Sequence, residues 1–291
     1  MSAAPLRAAV LGHPVAHSLS PTLHRAAYAA LGLEGWRYDA VDVEPAGLQE
    51  VLGGVDDSWA GLSVTMPLKR AVMTLVDQVE PLAAVVGAAN TVLVQPGRAP
   101  MLVAANTDVF GVVRALREGL TARSGGADEA PVRDAVILGA GATAASTLAA
   151  LAELGCMRAT VIVRSMARAG ATMRAAHRMG VEPRFVALEP MPGLVVRLES
   201  ADVVVSTLPP GAADPIADAL GERRVGGVLL DCAYEPQPTR LGSAWAVAGG
   251  TVVGGERMLL HQATEQVRLM TGLPAPIAAM DAALRDALTR R

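Results

Sequence analysis

Val136-Ile137-Leu138-Gly139-Ala140-Gly141-Ala142-Thr143-Ala144 decides the fold class of this chain. An apolar run ends in two glycines separated by one residue, and an alanine-rich, helix-favouring stretch continues to Leu154. The pattern is a strand, a tight turn and a helix. The first glycine allows the turn, and the second lets backbone N–H groups approach a pyrophosphate at the helix N-terminus. Ala144 holds the third position, where the dinucleotide fingerprint tolerates alanine. A turn built only for packing carries the same glycines, so the surroundings must decide.

Downstream, the surroundings repeat the pattern. Ala135–Leu138, Thr160–Val163, Val203–Ser206 and Val228–Leu230 are apolar strand segments, and helical stretches such as Ala142–Leu154 alternate with them. Alternating strands and helices imply parallel pairing and an open α/β sheet. After the second strand an NAD site carries an acid for the ribose hydroxyl. Here the chain reads Val163-Arg164-Ser165-Met166-Ala167-Arg168, with no acid. Two guanidinium forks and a hydroxyl suit a 2′-phosphate, so NADP is expected rather than NAD. The bland alternative is a pair of solvated arginines at a helix start.

Upstream, Ala8–Gly12, Trp36–Val43 and Leu62–Thr65 are expected as strands. Ser20-Pro21 is expected to cap and open a helix that Gly32 ends. Shorter helical stretches are expected near Ala71–Val76 and Pro81–Val86. Thr91–Val94 and Leu102–Ala105 form a strand pair around Pro96-Gly97-Arg98, and a helix follows from Val109 to Leu120. Thr121 to Pro131 is small and polar and is expected as a linker or surface loop. From Glu256 onward two helices are split at Gly272-Leu273-Pro274, with Glu256 and Arg257 as an exposed helix start.

Composition narrows the class. The 291 residues are 52% hydrophobic and 18% charged, which excludes bulk disorder. The net charge is −3 and no basic run occurs, so neither nucleic acid nor an anionic membrane surface is an expected partner. No apolar stretch is long enough to span a membrane, and the N-terminus makes a poor secretory signal. Two cysteines, Cys156 and Cys232, are too few for a disulfide framework, so a reducing cytoplasm is expected. The five histidines lack metal-ligand spacing, and no metal is expected. His24 and His261 fall on helices as packing or surface residues.

The chain holds 24 arginines but one lysine, Lys69, and only two asparagines, Asn90 and Asn106. A GC-rich coding background explains the bias. It does not explain where the exceptions sit. Lys69 closes Ser63-Val64-Thr65-Met66-Pro67-Leu68-Lys69. Asn90 lies in Gly87-Ala88-Ala89-Asn90-Thr91, and Asn106 opens Asn106-Thr107-Asp108. With His17-Ser18-Leu19-Ser20-Pro21, these polar groups all fall where strands give way to loops or helices, the places where α/β folds build sites. Each has a structural alternative: a helix cap for Ser20, Asn106 or Asp108, a turn for Asn90. Together they suit a polyol. Amides and hydroxyls bind ring hydroxyls, paired serines beside a helix start hold a carboxylate, and a Lys–Asp couple serves an oxygen changing from carbonyl to alcohol.

The chain resembles the shikimate dehydrogenase family over nearly its whole length. Gly12-His13-Pro14-Val15-Ala16-His17-Ser18-Leu19-Ser20-Pro21 is similar to that family's N-terminal signature, and the Ser63–Lys69 stretch to its lysine motif. Val163 to Arg168 resembles its NADP-selecting motif. Tyr234-Glu235-Pro236-Gln237-Pro238-Thr239 and Gly254-Gly255 through Met258 to Gln262 complete the set. The resemblance implies NADPH-dependent, reversible reduction of 3-dehydroshikimate to shikimate, a step toward chorismate and the aromatic amino acids. It implies Lys69 and Asp108 as the catalytic pair, and Ser18, Ser20, Thr65, Asn90, Tyr234 and Gln262 as substrate contacts. Gly139, Ala140, Gly141, Ala142, Thr143, Ala144, Arg164, Ser165 and Arg168 would hold NADP, with Cys232, Gly255 and Met258 toward the nicotinamide.

The implied architecture is an α/β chain of two domains. Residues 1–108 and 256–291 form the substrate domain, residues 109–255 a Rossmann-like NADP-binding domain, and the C-terminal helices return to the first. The site would lie in a cleft that closes around the substrate. A monomer or homodimer is expected. Departures from the family pattern replace Asn by Ser63 and Val163, put Arg25 after His24, read Ser206-Thr207-Leu208 after a later strand, and put Met270 where Trp is usual. A relative that oxidises quinate would share most of these contacts. A non-catalytic NADP sensor would have no use for the Lys69–Asp108 pair.

Overall fold

The computed structural model describes residues 6–126, 131–188 and 191–290. The chain divides into two compact units, 1–107 with 259–291, and 108–258. No helix among the described residues is long and apolar enough to cross a membrane.

In the first unit, β1 (Arg7–Gly12), α1 (Ser20–Ala30), β2 (Arg37–Asp42), α2 (Leu48–Gly53) and β3 (Trp59–Val64) come first in the chain. Then follow β4 (Gln78–Val79), α3 (Pro81–Val86), β5 (Thr91–Gln95) and β6 (Met101–Ala105). The sheet order is β2-β1-β3-β5-β6-β4. β1 runs parallel to β2 and β3, whereas β5 is antiparallel to β3 and β6. Alternate residues, Ala9 and Leu11, Leu62 and Val64, Val92 and Val94, fill one core. Ser63 necessarily points to the other face.

Register matters for function. Leu11 pairs with Val64, Ser63 with Thr91, and Thr91 with Ala105. The C-terminal ends of β1, β3 and β6 and the start of β5 therefore meet at one end of the sheet.

The second unit opens with α4 (Asp108–Ser124), followed by β7 (Ala135–Leu138), α5 (Ala142–Glu153), β8 (Thr160–Val163), α6 (Gly170–Met179) and β9 (Arg184–Ala187). It continues with α7 (Met191–Ser200), β10 (Val203–Ser206), α8 (Asp214–Leu220), β11 (Val228–Asp231), α9 (Arg240–Val247) and β12 (Thr251–Gly254). All six strands are parallel in the order β12-β11-β10-β7-β8-β9. This is the doubly wound dinucleotide order, and its switch point lies between β7 and β10. Helix α4 comes close enough to the sheet that a Cβ on Gly119 would meet Val228 and Val253 at 2.6 Å. Trp245 of α9 is fully buried and donates its indole N–H to the Gly227 carbonyl at 3.0 Å.

Helix α10 (Gly255–Thr271) begins in the second unit and ends in the first, and α11 (Ile277–Thr289) packs on α1. The fold is thus α/β with a Rossmann-like second domain, and the C-terminal helices return to the first.

Three local expectations change. The expected linker begins as helix, because α4 continues to Ser124; residues 127–130 of that stretch lie outside the described residues. Ala71–Thr74 is a single 3-10 turn. Ser20 is the first residue of α1 rather than its cap: Leu19 holds the cap position, and the Ser20 N–H donates to the Ser18 hydroxyl at 3.3 Å.

Candidate active site

The polar residues singled out in the first half collect at the shared end of the first sheet. Ser18 and Ser20 follow β1, Thr65 and Lys69 follow β3, Asn90 immediately precedes β5, and Asn106 and Thr107 follow β6. Asp108 opens α4 three residues beyond β6 and is buried. Lys69 and Thr65 are half-buried, and the Lys69 carbonyl accepts the Ala89 N–H at 2.8 Å, which ties the lysine loop to the Asn90 loop.

Asn90 is buried and bound on both sides of its amide. Its Nδ2 donates to Thr107 Oγ1 and to Gln262 Oε1, each at 2.9 Å, and its Oδ1 accepts the Thr107 N–H at 2.7 Å. Asn106 Nδ2 donates to the Ala88 carbonyl at 2.8 Å, so it braces the same loop. Gln262 also donates to the Leu259 carbonyl at 2.9 Å. The structure thus brings Asn90 and Gln262 together across 172 positions of sequence.

Gln266 escaped sequence reasoning, whereas His24 is the packing residue its helix position suggested. Gln266, one turn beyond Gln262, is fully buried and donates to the Asn90 carbonyl and to Thr91 Oγ1, both at 2.9 Å. Ser63 donates to Gln266 Oε1 at 2.8 Å, and Tyr38 donates to Ser63 Oγ at 2.5 Å. His24 stacks on Tyr38 with ring centres 4.0 Å apart and lies 3.3 Å from Gln266 Oε1. Burial lowers the His24 pKa to about 4, against the smaller raising effect of Gln266. Burial also raises Tyr28 and Tyr38, so both phenols stay protonated.

The loop that carries Ser18 and Ser20 is fastened at its start. His13 Nδ1 lies 2.6 Å from Asp42 Oδ1, at the end of β2. The hydrogen bond to Asp42 raises the His13 pKa, and the same bond lowers that of Asp42.

In the second unit, Gly139 to Gly141 follow β7 at the switch point. Gly139 has φ +107°, and a Cβ there would lie 2.6 Å from Thr207 Oγ1. Gly141 needs no special conformation, yet a Cβ there would meet nothing within 4 Å. Ala142, Thr143 and Ala144 begin α5, and Thr172 Oγ1 braces the turn by donating to the Ala140 carbonyl at 2.7 Å. Arg164, Ser165 and Arg168 follow β8, the neighbour of β7, with both arginines exposed. Among the described residues neither arginine has a carboxylate partner within ion-pair distance. An open backbone cradle beside two unneutralised guanidinium groups fits a dinucleotide with a 2′-phosphate.

Cys232, Gly255 and Met258 also meet. Cys232 Sγ lies 3.7 Å from Met258 Sδ, and a Cβ on Gly255 would lie 2.4 Å from the Cys232 carbonyl oxygen. Tyr234 is half-buried on the loop after β11. That loop is held by Asp231, whose Oδ2 accepts from Thr239 Oγ1 at 2.7 Å. Burial raises the Asp231 pKa, partly offset by the Thr239 bond. Glu256 and Arg257 do not form an exposed helix start. Both are half-buried, Glu256 is hydrogen-bonded by Gln237, and Arg257 makes a forked pair with Glu118 at 2.7 and 2.8 Å. Burial raises the Glu256 pKa.

Residues 10–92 match the model of the shikimate dehydrogenase substrate binding domain, and 255–285 that of the shikimate 5′-dehydrogenase C-terminal domain. The shikimate dehydrogenase (NADP(+)) of Moorella thermoacetica is 36% identical, over 96% of this chain and 92% of that one. The chain belongs to the shikimate dehydrogenase family. Among solved structures of the family, Mycobacterium tuberculosis shikimate dehydrogenase has TM-score 0.84 and 41% identity, covering 97% of this chain and 100% of that one. Thermus thermophilus shikimate 5-dehydrogenase, solved in complex with NADP(H) and shikimate, has TM-score 0.79 and 33% identity over 97% and 100% of the two chains.

Proposed function

We propose that this chain is an NADP-dependent shikimate dehydrogenase that reversibly reduces 3-dehydroshikimate to shikimate. Its place is the route to chorismate and the aromatic amino acids. The observation that carries the reading is the gathering of Ser18, Ser20, Thr65, Lys69, Asn90 and Thr107 at one end of the first sheet. Residues 1–108 and 256–291 serve as the substrate domain, and 109–255 as the cofactor domain. Cys156 and Cys232 are free thiols, and a cytoplasmic location belongs to the same reading.

Ser18 and Ser20 hold the substrate carboxylate. Thr65, Asn90, Tyr234 and Gln262 bind the ring hydroxyls. A substrate hydroxyl takes up the hydrogen-bonding capacity that Asn90 and Gln262 now spend on each other. When bound, NADPH supplies the hydride that ends on the ring carbonyl carbon. Gly139 to Ala144 cradle its pyrophosphate, Arg164, Ser165 and Arg168 hold its 2′-phosphate, and Cys232, Gly255 and Met258 shape the nicotinamide end. Lys69 offers its ammonium to the carbonyl oxygen, stabilises the negative charge that develops there and supplies the proton. Asp108 orients the Lys69 ammonium toward the carbonyl oxygen. Arginine in place of Lys69 would hold charge but release no proton.

The deciding experiment follows NADPH appearance with shikimate and NADP, beside quinate and NAD controls. Turnover with shikimate and NADP is expected to dominate, and Lys69→Ala to lose at least about a hundredfold in kcat while the protein stays folded. Preferred turnover of quinate would move the chain to a related activity. A Lys69→Ala rate within a few fold of wild type would remove the assigned role.

A further inference from the structure

Gln266 is fully buried, and both ends of its amide are used. Oε1 accepts from Ser63 Oγ at 2.8 Å and faces His24 Nε2 at 3.3 Å. Nε2 donates to the Asn90 carbonyl and to Thr91 Oγ1, each at 2.9 Å. Burying an amide is costly unless its hydrogen bonds are replaced, and here every partner lies on a segment that bears a site residue. Ser63 lies on β3, two residues before Thr65. His24 lies on α1, four residues after Ser20. Asn90 is itself a site residue. On α10, Gln262 stands four residues before Gln266 and so shares its helix face. The bond from Gln266 to the Asn90 backbone therefore sets the register in which Gln262 meets the Asn90 side chain.

The Ser63 hydroxyl lies on the face opposite Leu62 and Val64, where Tyr38 and Gln266 both reach it.

We propose that Gln266 is a positioning residue for substrate recognition, one that joins β3, β5 and α1 through a single buried amide and holds Asn90 and Gln262 in their binding orientation. It has no exposed surface, so it acts through Asn90 and Gln262. The inference rests on the shikimate dehydrogenase reading given above.

The test uses the full chain with Gln266→Met, Gln266→Glu and Ser63→Ala. Methionine keeps the length and removes every hydrogen bond. Glutamic acid in its protonated form keeps the acceptor and one donor. Gln266→Met is expected to raise KM for shikimate about tenfold, the scale set by losing hydrogen bonds at a buried group, while NADPH affinity and KM for NADP stay within about twofold. Gln266→Glu is expected to recover part of the shikimate KM. A purely structural role would lower the thermal midpoint and the active fraction while leaving KM in place. An active, folded Gln266→Met protein with unchanged shikimate KM overturns the inference alone. Should Gln266→Met fail to fold, Ser63→Ala decides, with an expected rise of about threefold in the same KM and an unchanged value counting against it. A wild-type protein that turns over no shikimate overturns the activity reading and this inference with it.

Discussion

His13 and Asp42 form a clasp at the root of the serine loop. Asp42 Oδ1 lies 2.6 Å from His13 Nδ1, and Asp42 Oδ2 accepts the Val15 N–H at 3.1 Å. One carboxylate thus ties the loop by a side chain and by its backbone, three residues before Ser18. The His13 pKa is raised, so its ionic contribution is complete below the unfolded value of 6.5 and fades as pH rises through the folded pKa. The Asp42 pKa is lowered, so its contribution holds above 3.8 and fades as pH falls through the folded value. His13→Ala should raise KM for shikimate about two- to threefold near neutrality, the range of an exposed ion pair. The gap should narrow at alkaline pH, when wild-type His13 is neutral. A gap that stays constant from acid to alkaline pH would exclude the ionic clasp.

His24 makes stability depend on pH. Its pKa falls from 6.5 to about 4 in the folded protein, chiefly through burial. Above pH 6.5 the group is neutral in both states and costs nothing. Below it the unfolded chain gains a proton that the folded chain refuses, so stability falls as pH drops. The loss approaches about 3 kcal/mol below the folded pKa and reaches about 2 kcal/mol near pH 5. Urea unfolding of wild type and His24→Gln at neutral pH and near pH 5 checks this, because the variant should lack that part of the slope. Equal slopes would mean His24 titrates normally.

The two glycines of the turn should fail in different ways. Gly139 has φ +107° and no room for a Cβ beside Thr207, so Gly139→Ala should destabilise the fold by about 1–3 kcal/mol. Gly141 has an ordinary conformation and open space, so Gly141→Val should leave the thermal midpoint nearly unchanged. It should nevertheless weaken NADPH binding by about tenfold or more, as the proposed approach of the pyrophosphate to this turn requires. Fluorescence titration of NADPH beside thermal unfolding separates the two effects. A Gly141→Val protein that binds NADPH normally would refute the cradle.

Arg164 and Arg168 should carry the choice of cofactor. Each guanidinium lost should cost roughly tenfold in kcat/KM with NADP, as expected for a charge-assisted hydrogen bond to phosphate, and little with NAD. The ratio of the two specificity constants in Arg164→Ala and Arg168→Ala is the measurement. An unchanged ratio in both variants would return these side chains to the solvated surface.

What was legible in the sequence was legible locally. The Ala135–Leu138 run and the glycines after it, Thr160–Val163 and Val203–Ser206 are strands with the bounds their apolar runs suggest. Their alternation with helices was enough to imply the parallel sheet. The scarcity of lysine and asparagine pointed to Lys69, Asn90 and Asn106 without any geometry. Strands β4, β9 and β12 escaped because they are short and lie at sheet edges, where one-sided burial weakens the apolar signal. Ser20 misled because its composition suits a cap, whereas the chain enters α1 one residue earlier.

Tertiary structure alone decided the polar interior. Nothing near Gln266 in sequence marks it as buried, since its partners Ser63 and Thr91 are 203 and 175 positions away. Likewise Arg257 suits an exposed helix start until Glu118 of α4 meets it, 139 positions earlier. Periodicity and turn chemistry act over a few residues, so sequence determined which elements form and which chemical groups lie at their ends. Buried hydrogen bonds depend on which elements pack together, so only the fold determined which of those groups hold one another in place.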